Sequence, residues 1–411
     1  MTRDDWYKKE VWLQWQGPSL SFAVAQELFS SHAIDTGSRL LLNSLRGEQC
    51  PDRGTALDYG CGYGVLGLAW KKLKPAWNVC LVDRDALAVE FAAWNAERLG
   101  FAPGSGVECA VGLGAEGGPP EGFDLILWNV PGKAGESVVR RLAGDIGDAL
   151  VGNGLAALVV VNPLAGALRS VYEARPDLSI GVDAAFAEHT ILHIKKNTPD
   201  VTAGTRIAPF ERGVFDRDPR TFPAPTGPYT LTPVIGLPEY ESHSHQTTLT
   251  LSGVDKLPRS PHSAVLIFGC GQGHIPVAVH VMHGVTRFIL VDRDLLALEA
   301  SSRALLAAGV VEDRVTRFAR SAIGSYGSDM RPIDMAFVRL DDQQRPAVMT
   351  ALVEDLAALA PPGLTVVVGG GSTSVSRFLG LVAKQRGWKL GSRSRRHGAS
   401  AAILTLRQER A

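Results

Sequence analysis

The chain lacks any apolar run long enough to cross a bilayer. Its longest, such as Leu155 to Val161, fall far short of the about 20 residues a membrane helix needs. Cysteine is scarce: Cys50, Cys61, Cys80, Cys109 and Cys270 are an odd set with no C-x-x-C pair, which excludes a disulfide framework and a zinc ribbon. His243, His245, His274, His280 and His283 show no ligand spacing, so no metal is expected. The start, with Asp4 and Asp5, lacks the basic-then-apolar order of a secretory leader. The expectation is a soluble, cytoplasmic, monomeric protein without membrane attachment.

Net charge is also absent, with 42 basic and 42 acidic residues, but the balance is uneven along the chain. Residues 1–200 hold 18 Lys and Arg against 24 Asp and Glu, and residues 201–411 hold 24 against 18. Much of the basic excess lies near the end, at Lys384, Arg386, Lys389, Arg393, Arg395, Arg396 and Arg407. A phosphate-backbone partner needs such a face, although a solvated surface of helices and strands would read the same way.

What the chain has is ordinary globular composition, 45% hydrophobic and 20% charged, over enough length for two or three cores. It also has an internal repeat. Gly60-Cys-Gly-Tyr-Gly64 returns as Gly269-Cys-Gly-Gln-Gly273, and Leu81-Val-Asp-Arg-Asp85 as Leu290-Val-Asp-Arg-Asp294, both 209 residues later. Phe123-Asp-Leu-Ile-Leu matches Ile333-Asp-Met-Ala-Phe at 210, and the run from Gly154 matches that from Gly363 at 209. Motifs holding one offset point to duplication. Between the copies, residues 197–238 carry eight prolines, a density that forbids long helices and central strands. The boundaries expected are a first domain over 1–196, a proline-rich connector over 197–238 and a second domain over 239–411. Trp6, Trp12 and Trp15 upstream suggest a lid or an extra helix.

Each copy alternates an apolar strand, a glycine turn, a helix and another strand ending in an acid. This is the signature of an α/β fold with a doubly wound, mostly parallel sheet. In the first copy Gly60, Gly62 and Gly64 let the backbone bend and approach a ligand. Dinucleotide-binding folds use a similar turn, but two acids sharpen the reading. Asp58, two residues before the turn, suits an amine-bearing ligand and ill suits a pyrophosphate. Asp83 ends the next strand, positioned for ribose hydroxyls. The fourth strand runs into Asn129-Val-Pro-Gly-Lys133 at the carboxyl end, where ligands sit in such sheets. An Asn side-chain carbonyl and a main-chain carbonyl there can hold an exocyclic amine against a methyl donor.

Residues 29–200 resemble the catalytic domain of the tandem-domain bacterial rRNA guanine-N2 methyltransferases, of the small-subunit type and its large-subunit relative. The resemblance rests on Phe29 to Leu42, Leu57-Asp-Tyr-Gly-Cys-Gly-Tyr-Gly-Val-Leu-Gly67, Asn129-Val-Pro-Gly-Lys-Ala-Gly135 and Val159-Val-Val-Asn162. It implies two tandem Rossmann-like class I methyltransferase domains and S-adenosylmethionine (SAM) as cofactor. It further implies that Asp58, Gly60, Gly62, Gly64 and Asp83 bind SAM, that Asp35, Thr36 and Gly37 line the cofactor pocket, and that Asn129 and Pro131 hold the base. The substrate implied is ribosomal RNA or a ribosomal subunit.

The chain departs from that pattern. Val130 replaces a proline, and Gly132 replaces the aromatic that stacks on the extruded base, a contact worth roughly 1–3 kcal/mol. Trp128 or an N-terminal tryptophan is the expected substitute. Val111-Gly-Leu-Gly114 holds no acid for the adenine amine. In the second copy Ile267 stands for Asp58, and Arg339 and Asp341 stand for Asn129 and Pro131. That copy is expected to be a scaffold or RNA-docking surface, with the order of active and degenerate copies reversed relative to the family. Two other readings stay open: methylation of a protein side-chain amide or small-molecule amine, and a non-catalytic RNA- or protein-binding module.

Overall fold

The computed structural model describes residues 1–198, 206–257, 264–324, 333–342, 344–359 and 363–406; Pro199 of the connector and Arg407 of the basic set lie outside them. Contacts divide the chain into Tyr7–Phe215 and a second unit of Met1–Trp6 with Asp216–Ala411.

The one-turn helix α1 (Arg3–Trp6) belongs to the second unit, where the Met1 amino group meets Asp355 at 3.0 Å. The first unit opens on the antiparallel pair β1 (Tyr7–Leu13) and β2 (Leu20–Ala25), so the tryptophan-bearing segment is mainly a hairpin, not an extra helix. The alternation of buried Val11 and Leu13 with exposed Trp12 explains it: period two favours a strand. After it come α2 (Thr36–Ser44), β3 (Thr55–Tyr59), α3 (Val65–Leu73), β4 (Asn78–Asp83), α4 (Ala86–Arg98) and β5 (Val107–Val111). The unit continues through β6 (Phe123–Asn129), α5 (Glu136–Ala149), β7 (Leu150–Val161), α6 (Asn162–Glu173), β8 (Leu178–Ala185) and β9 (His189–Lys196). The sheet order is β5-β4-β3-β6-β7-β9-β8; every pair through β7 is parallel, and β9 is antiparallel to both neighbours. Both faces of the central strands are covered: Leu57, Leu81, Ile126 and Leu127 are fully buried, as parallel sheets require.

The second unit begins with the short pair β10 (Arg220–Phe222) and β11 (Tyr229–Leu231). Then follow α7 (His245–Val254), β12 (Ala264–Phe268), α8 (His274–His283), β13 (Arg287–Asp292), α9 (Leu295–Ala307) and β14 (Val315–Ala319). It closes with β15 (Ile333–Arg339), α10 (Pro346–Leu359), β16 (Thr365–Gly371), α11 (Ser372–Val382), β17 (Trp388–Arg396) and β18 (Ala399–Leu406). Its order, β14-β13-β12-β15-β16-β18-β17, repeats the first sheet strand for strand. The repeat reaches the helix starts: Asp85 and Asp294 cap α4 and α9 in the same way, each accepting the N–H two residues on.

The proline-rich stretch is not a free linker over its described residues. Pro209 packs by Gly114 in the first unit, while Phe222, Tyr229 and Leu231 enter a core of the second. Three aromatic and aliphatic side chains seeking burial outweigh the prolines around them.

Candidate functional site

The site of the first unit is built where β3, β4, β5 and β6 end. Asp58 lies within β3 and is 1% exposed. Its Oδ2 accepts the Gly67 N–H at 2.7 Å, while Oδ1 is buried with no partner. Burial, opposed by that N–H and reinforced by the Asp83 charge, lifts its pKa to about 7. Beyond it the chain turns at Gly60, Gly62 and Gly64, all with positive φ (71°, 55° and 91°). A Cβ on Gly60 or Gly62 would meet nothing within 4 Å, so this side of the turn is open. Gly64 in the left-handed region launches α3, and a Cβ there would strike Leu68 at 2.8 Å.

Asp83 ends β4. Its Oδ2 accepts the Gly62 N–H at 2.9 Å and its Oδ1 the Asp85 N–H at 2.9 Å, which fixes the carboxylate. Burial pushes its pKa up. A third acid follows β5: Glu116 accepts the Leu113 N–H on Oε1 at 3.2 Å, while Oε2 is buried and unpartnered. Sequence reasoning missed it by stopping at Gly114, two residues short. Three neighbouring strands thus each bring a carboxylate to this edge, and two of the three hold a buried oxygen without a donor. A buried acceptor in that state costs about 1–3 kcal/mol and is a demand for a ligand donor.

Asn129 ends β6, and the Tyr59–Trp128 register sets it beside the glycine turn. Its Nδ2 donates to Asp35 Oδ2 at 2.8 Å and to Ser38 Oγ at 3.1 Å. A carboxylate accepts only, so the amide nitrogen must face Asp35, and the carbonyl is the free end. Asp35 is the N-cap of α2, accepting the Ser38 N–H at 3.0 Å. The structure therefore brings Asp35 onto Asn129. Thr36, next along, is exposed, as is Pro131, whose carbonyl accepts the Ala134 N–H at 3.1 Å. The loop before α2 is bonded to the glycine turn: Tyr63 Oη donates to the Ser30 carbonyl at 3.3 Å. Fully buried Asn95 ties the hairpin to the same turn through Ala23 and the Tyr63 carbonyl.

Trp128 cannot replace the aromatic missing at Gly132. It is 1% exposed, packed on Tyr59 at 5.4 Å, and Tyr59 is locked by a bond to the Leu113 carbonyl. Trp15 is buried as well, and Trp6 lies in the other unit. Trp12 (59% exposed) is the N-terminal tryptophan left open, and its carbonyl takes a bond from Arg39 of α2. Another exposed aromatic is Phe186, at the tip between β8 and β9. Asn162, singled out by its motif, pins that tip by donating to the Phe186 and Ala187 carbonyls at 3.0 and 3.1 Å. Val161 pairs with His189 across the sheet, and a Cβ on Gly132 would touch only Val161, at 3.3 Å. The tip therefore stands on the same edge as the Asn129 turn.

The second unit repeats the backbone and not the chemistry. Gly269, Gly271 and Gly273 keep positive φ, and Asp292 still accepts the Cys270 N–H at 2.7 Å. Yet a Cβ on Gly269 would meet Arg339 Cβ at 2.9 Å, and one on Gly271 its Nη1 at 3.1 Å, so Arg339 fills the space that is open in the first copy. A partly open pocket remains there, with Glu239, His274 and Arg339 among its lining residues. Arg339 pairs with Glu239 at 3.4 Å, and burial holds His274 neutral, its pKa down to about 4. His243 and His274 share the Tyr229 hydroxyl, His280 and His283 bond to carbonyls, and His245 stacks on His397. Among the described residues no three metal-ligating side chains converge, and no helix is long and apolar enough to cross a membrane.

Comparison with known proteins agrees with this fold. Residues 19–172 match the family model of the methyltransferase small domain. Ribosomal RNA large subunit methyltransferase G of Alcanivorax borkumensis is 34% identical over 146 residues, which are 34% of this chain and 35% of that protein. Ribosomal RNA small subunit methyltransferase C of Pseudomonas entomophila is 43% identical over 106 residues, 25% of this chain and 29% of that one. The chain thus matches only about a third of the length of these relatives. Among solved structures, the Thermus thermophilus 16S rRNA N2 G1207 methyltransferase, in complex with AdoMet and guanosine, superposes with a TM-score of 0.66 at 14% identity, over 99% of this chain and 100% of that one. The first unit is therefore similar in sequence to methyltransferase small domains, and the chain has the fold of two tandem class I methyltransferase domains.

Proposed function

We propose that the first unit is a SAM-dependent methyltransferase acting on an exocyclic base amine, guanine N2, of ribosomal RNA. The relatives named above are rRNA methyltransferases, and the residues present fit the cofactor. Asp58, with its unpartnered Oδ1, would take the α-ammonium; Asp83 would take the ribose hydroxyls; Glu116 Oε2 would take the adenine amine. Gly60 and Gly62 leave the backbone open to close approach. When bound, SAM supplies a methyl group on a sulfonium, ready for displacement by a nitrogen lone pair.

The observation that carries the choice of an amine acceptor is the orientation of the Asn129 amide. Asp35 and Ser38 hold its nitrogen, so its carbonyl is the end available to accept from an amine N–H. Such a bond keeps the amine lone pair off the ring and aims it, and alignment of this kind lowers the barrier to methyl transfer. Asp35 is then a positioning residue, and Asn129 the catalytic one. The base would have to leave its stack to reach this edge. Incubation with labelled SAM and ribosomal subunits or naked rRNA, followed by nucleoside analysis, tests the proposal. N2-methylguanosine is expected; label in protein or in small amines alone would redirect it, and no label in any RNA would sink it.

A further inference from the structure

The two copies share one topology, so each serves as a control for the other, and they differ most sharply at one sheet edge. In the first unit the edge strand β8 carries Asp183, which takes two bonds from Arg169 of α6 at 2.6 and 2.8 Å. Arg175 nearby pairs with both Asp177 and Asp148. Every arginine at that edge has its carboxylate.

The corresponding edge of the second unit, β17, carries Lys389, Arg393, Arg395 and Arg396 and no acid, and the turn before it adds Lys384 and Arg386. Among the described residues none of these six has a carboxylate within 4 Å. Arg393 and Arg395 instead converge on the Ser376 hydroxyl of α11, at 2.6 and 3.4 Å, and crowding by Arg395 adds to the burial that lowers the Arg393 pKa. The register places Arg393 and Arg395 opposite Ala402 and Ser400, and Lys389 and Arg396 opposite Thr405 and Ala399, so cations project from both faces of the strand. From Lys389 to Arg396 the strand runs roughly 20 Å. Charge on an edge strand also blocks unwanted strand pairing, but Lys384 and Arg386 lie off the strand altogether, where that role does not apply.

Resting on the reading of the first unit as an RNA methyltransferase, we infer that β17 with its preceding turn is a docking ridge for the phosphodiester backbone of the RNA substrate. Unpaired cations held together by the fold are repelled by one another and stabilised by a polyanion that releases its counterions. Contacts to phosphates alone carry no sequence information, so the ridge would add affinity without sequence preference.

The test uses the full chain, an rRNA fragment and S-adenosylhomocysteine, with affinity measured by fluorescence anisotropy from 50 to 300 mM KCl. Lys389→Ala/Arg395→Ala/Arg396→Ala should lower the slope of log affinity against log salt by about 2 to 3, at roughly 0.7–0.9 per phosphate lost. At physiological salt binding should weaken at least tenfold, with S-adenosylhomocysteine affinity unchanged. A control lacking Arg46 and Arg53 of the first unit should keep the original slope. Unchanged slope and affinity in the triple variant would overturn the inference, as would intact RNA binding with lost attachment to ribosomal protein. If the unmutated chain docks RNA through this edge yet transfers no methyl, the enzymatic reading falls alone. If it methylates RNA while the triple variant binds normally, only the docking ridge falls.

Discussion

Replacing Asp58 by Asn tests the cofactor site at its most deeply buried acid. The substitution keeps shape and volume, and the new carbonyl can still accept the Gly67 N–H. What changes is the second position: an NH2 group would stand where Oδ1 now lies buried without a partner, facing the ammonium donor-to-donor. Losing a charge-assisted hydrogen bond costs about 1.5–3 kcal/mol, so SAM affinity should fall roughly 10- to 150-fold. The pH dependence gives a second readout. Burial raises the Asp58 pKa to about 7, so the free carboxyl is largely protonated below that pH. Binding an ammonium must then release one proton. Affinity should therefore rise about tenfold per pH unit between 5 and 6.5 and level off near 7. Stability of the ligand-free protein should run the other way. A raised folded-state pKa contributes stability that is present below the ordinary carboxyl pKa and lost as pH rises through about 7. The loss is of order 4 kcal/mol, and the Asn variant should not show it. Calorimetric titration of SAM from pH 5 to 7.5, for both proteins, decides the matter. A flat profile for the unmutated chain, or Asn-variant affinity within threefold at pH 7.5, would refute the reasoning.

Three further outcomes are expected. Asn129→Ala should keep SAM affinity and lose two to three orders of magnitude in single-turnover methyl transfer, and Asp35→Asn, which keeps a cap acceptor for α2 and reaches the reaction through Asn129, should lose less. If Phe186 supplies the stacking face that Gly132 lacks, Phe186→Ala should raise KM for an rRNA fragment roughly fivefold or more, and Gly132→Phe, whose Cβ would meet only Val161, should rescue it; no change in either variant would remove Phe186 from the site. SAM should bind the full chain at one site rather than two, because Arg339 occupies the second turn; a stoichiometry of two by calorimetry would contradict that.

The sequence alone determined the architecture. A constant offset near 209 residues, strands ending in acids and glycines after the first strand are local patterns, and local patterns fix which elements form and in what order. The same patterns singled out Asp58, Asp83 and Asn129, because those residues flank strand ends, and the fold sets strand ends together. Tertiary structure decided everything that depends on which atoms face each other. That Asp35 orients the Asn129 amide is a contact across 94 residues. Glu116 escaped notice because its loop, not its spacing, carries it back to the carboxyl edge. Trp128 looked available for stacking, and only burial against Tyr59 withdrew it. The six cations near the end were legible as charge, but whether they had partners was not. Pairing is a matter of distance, and the sequence holds only order.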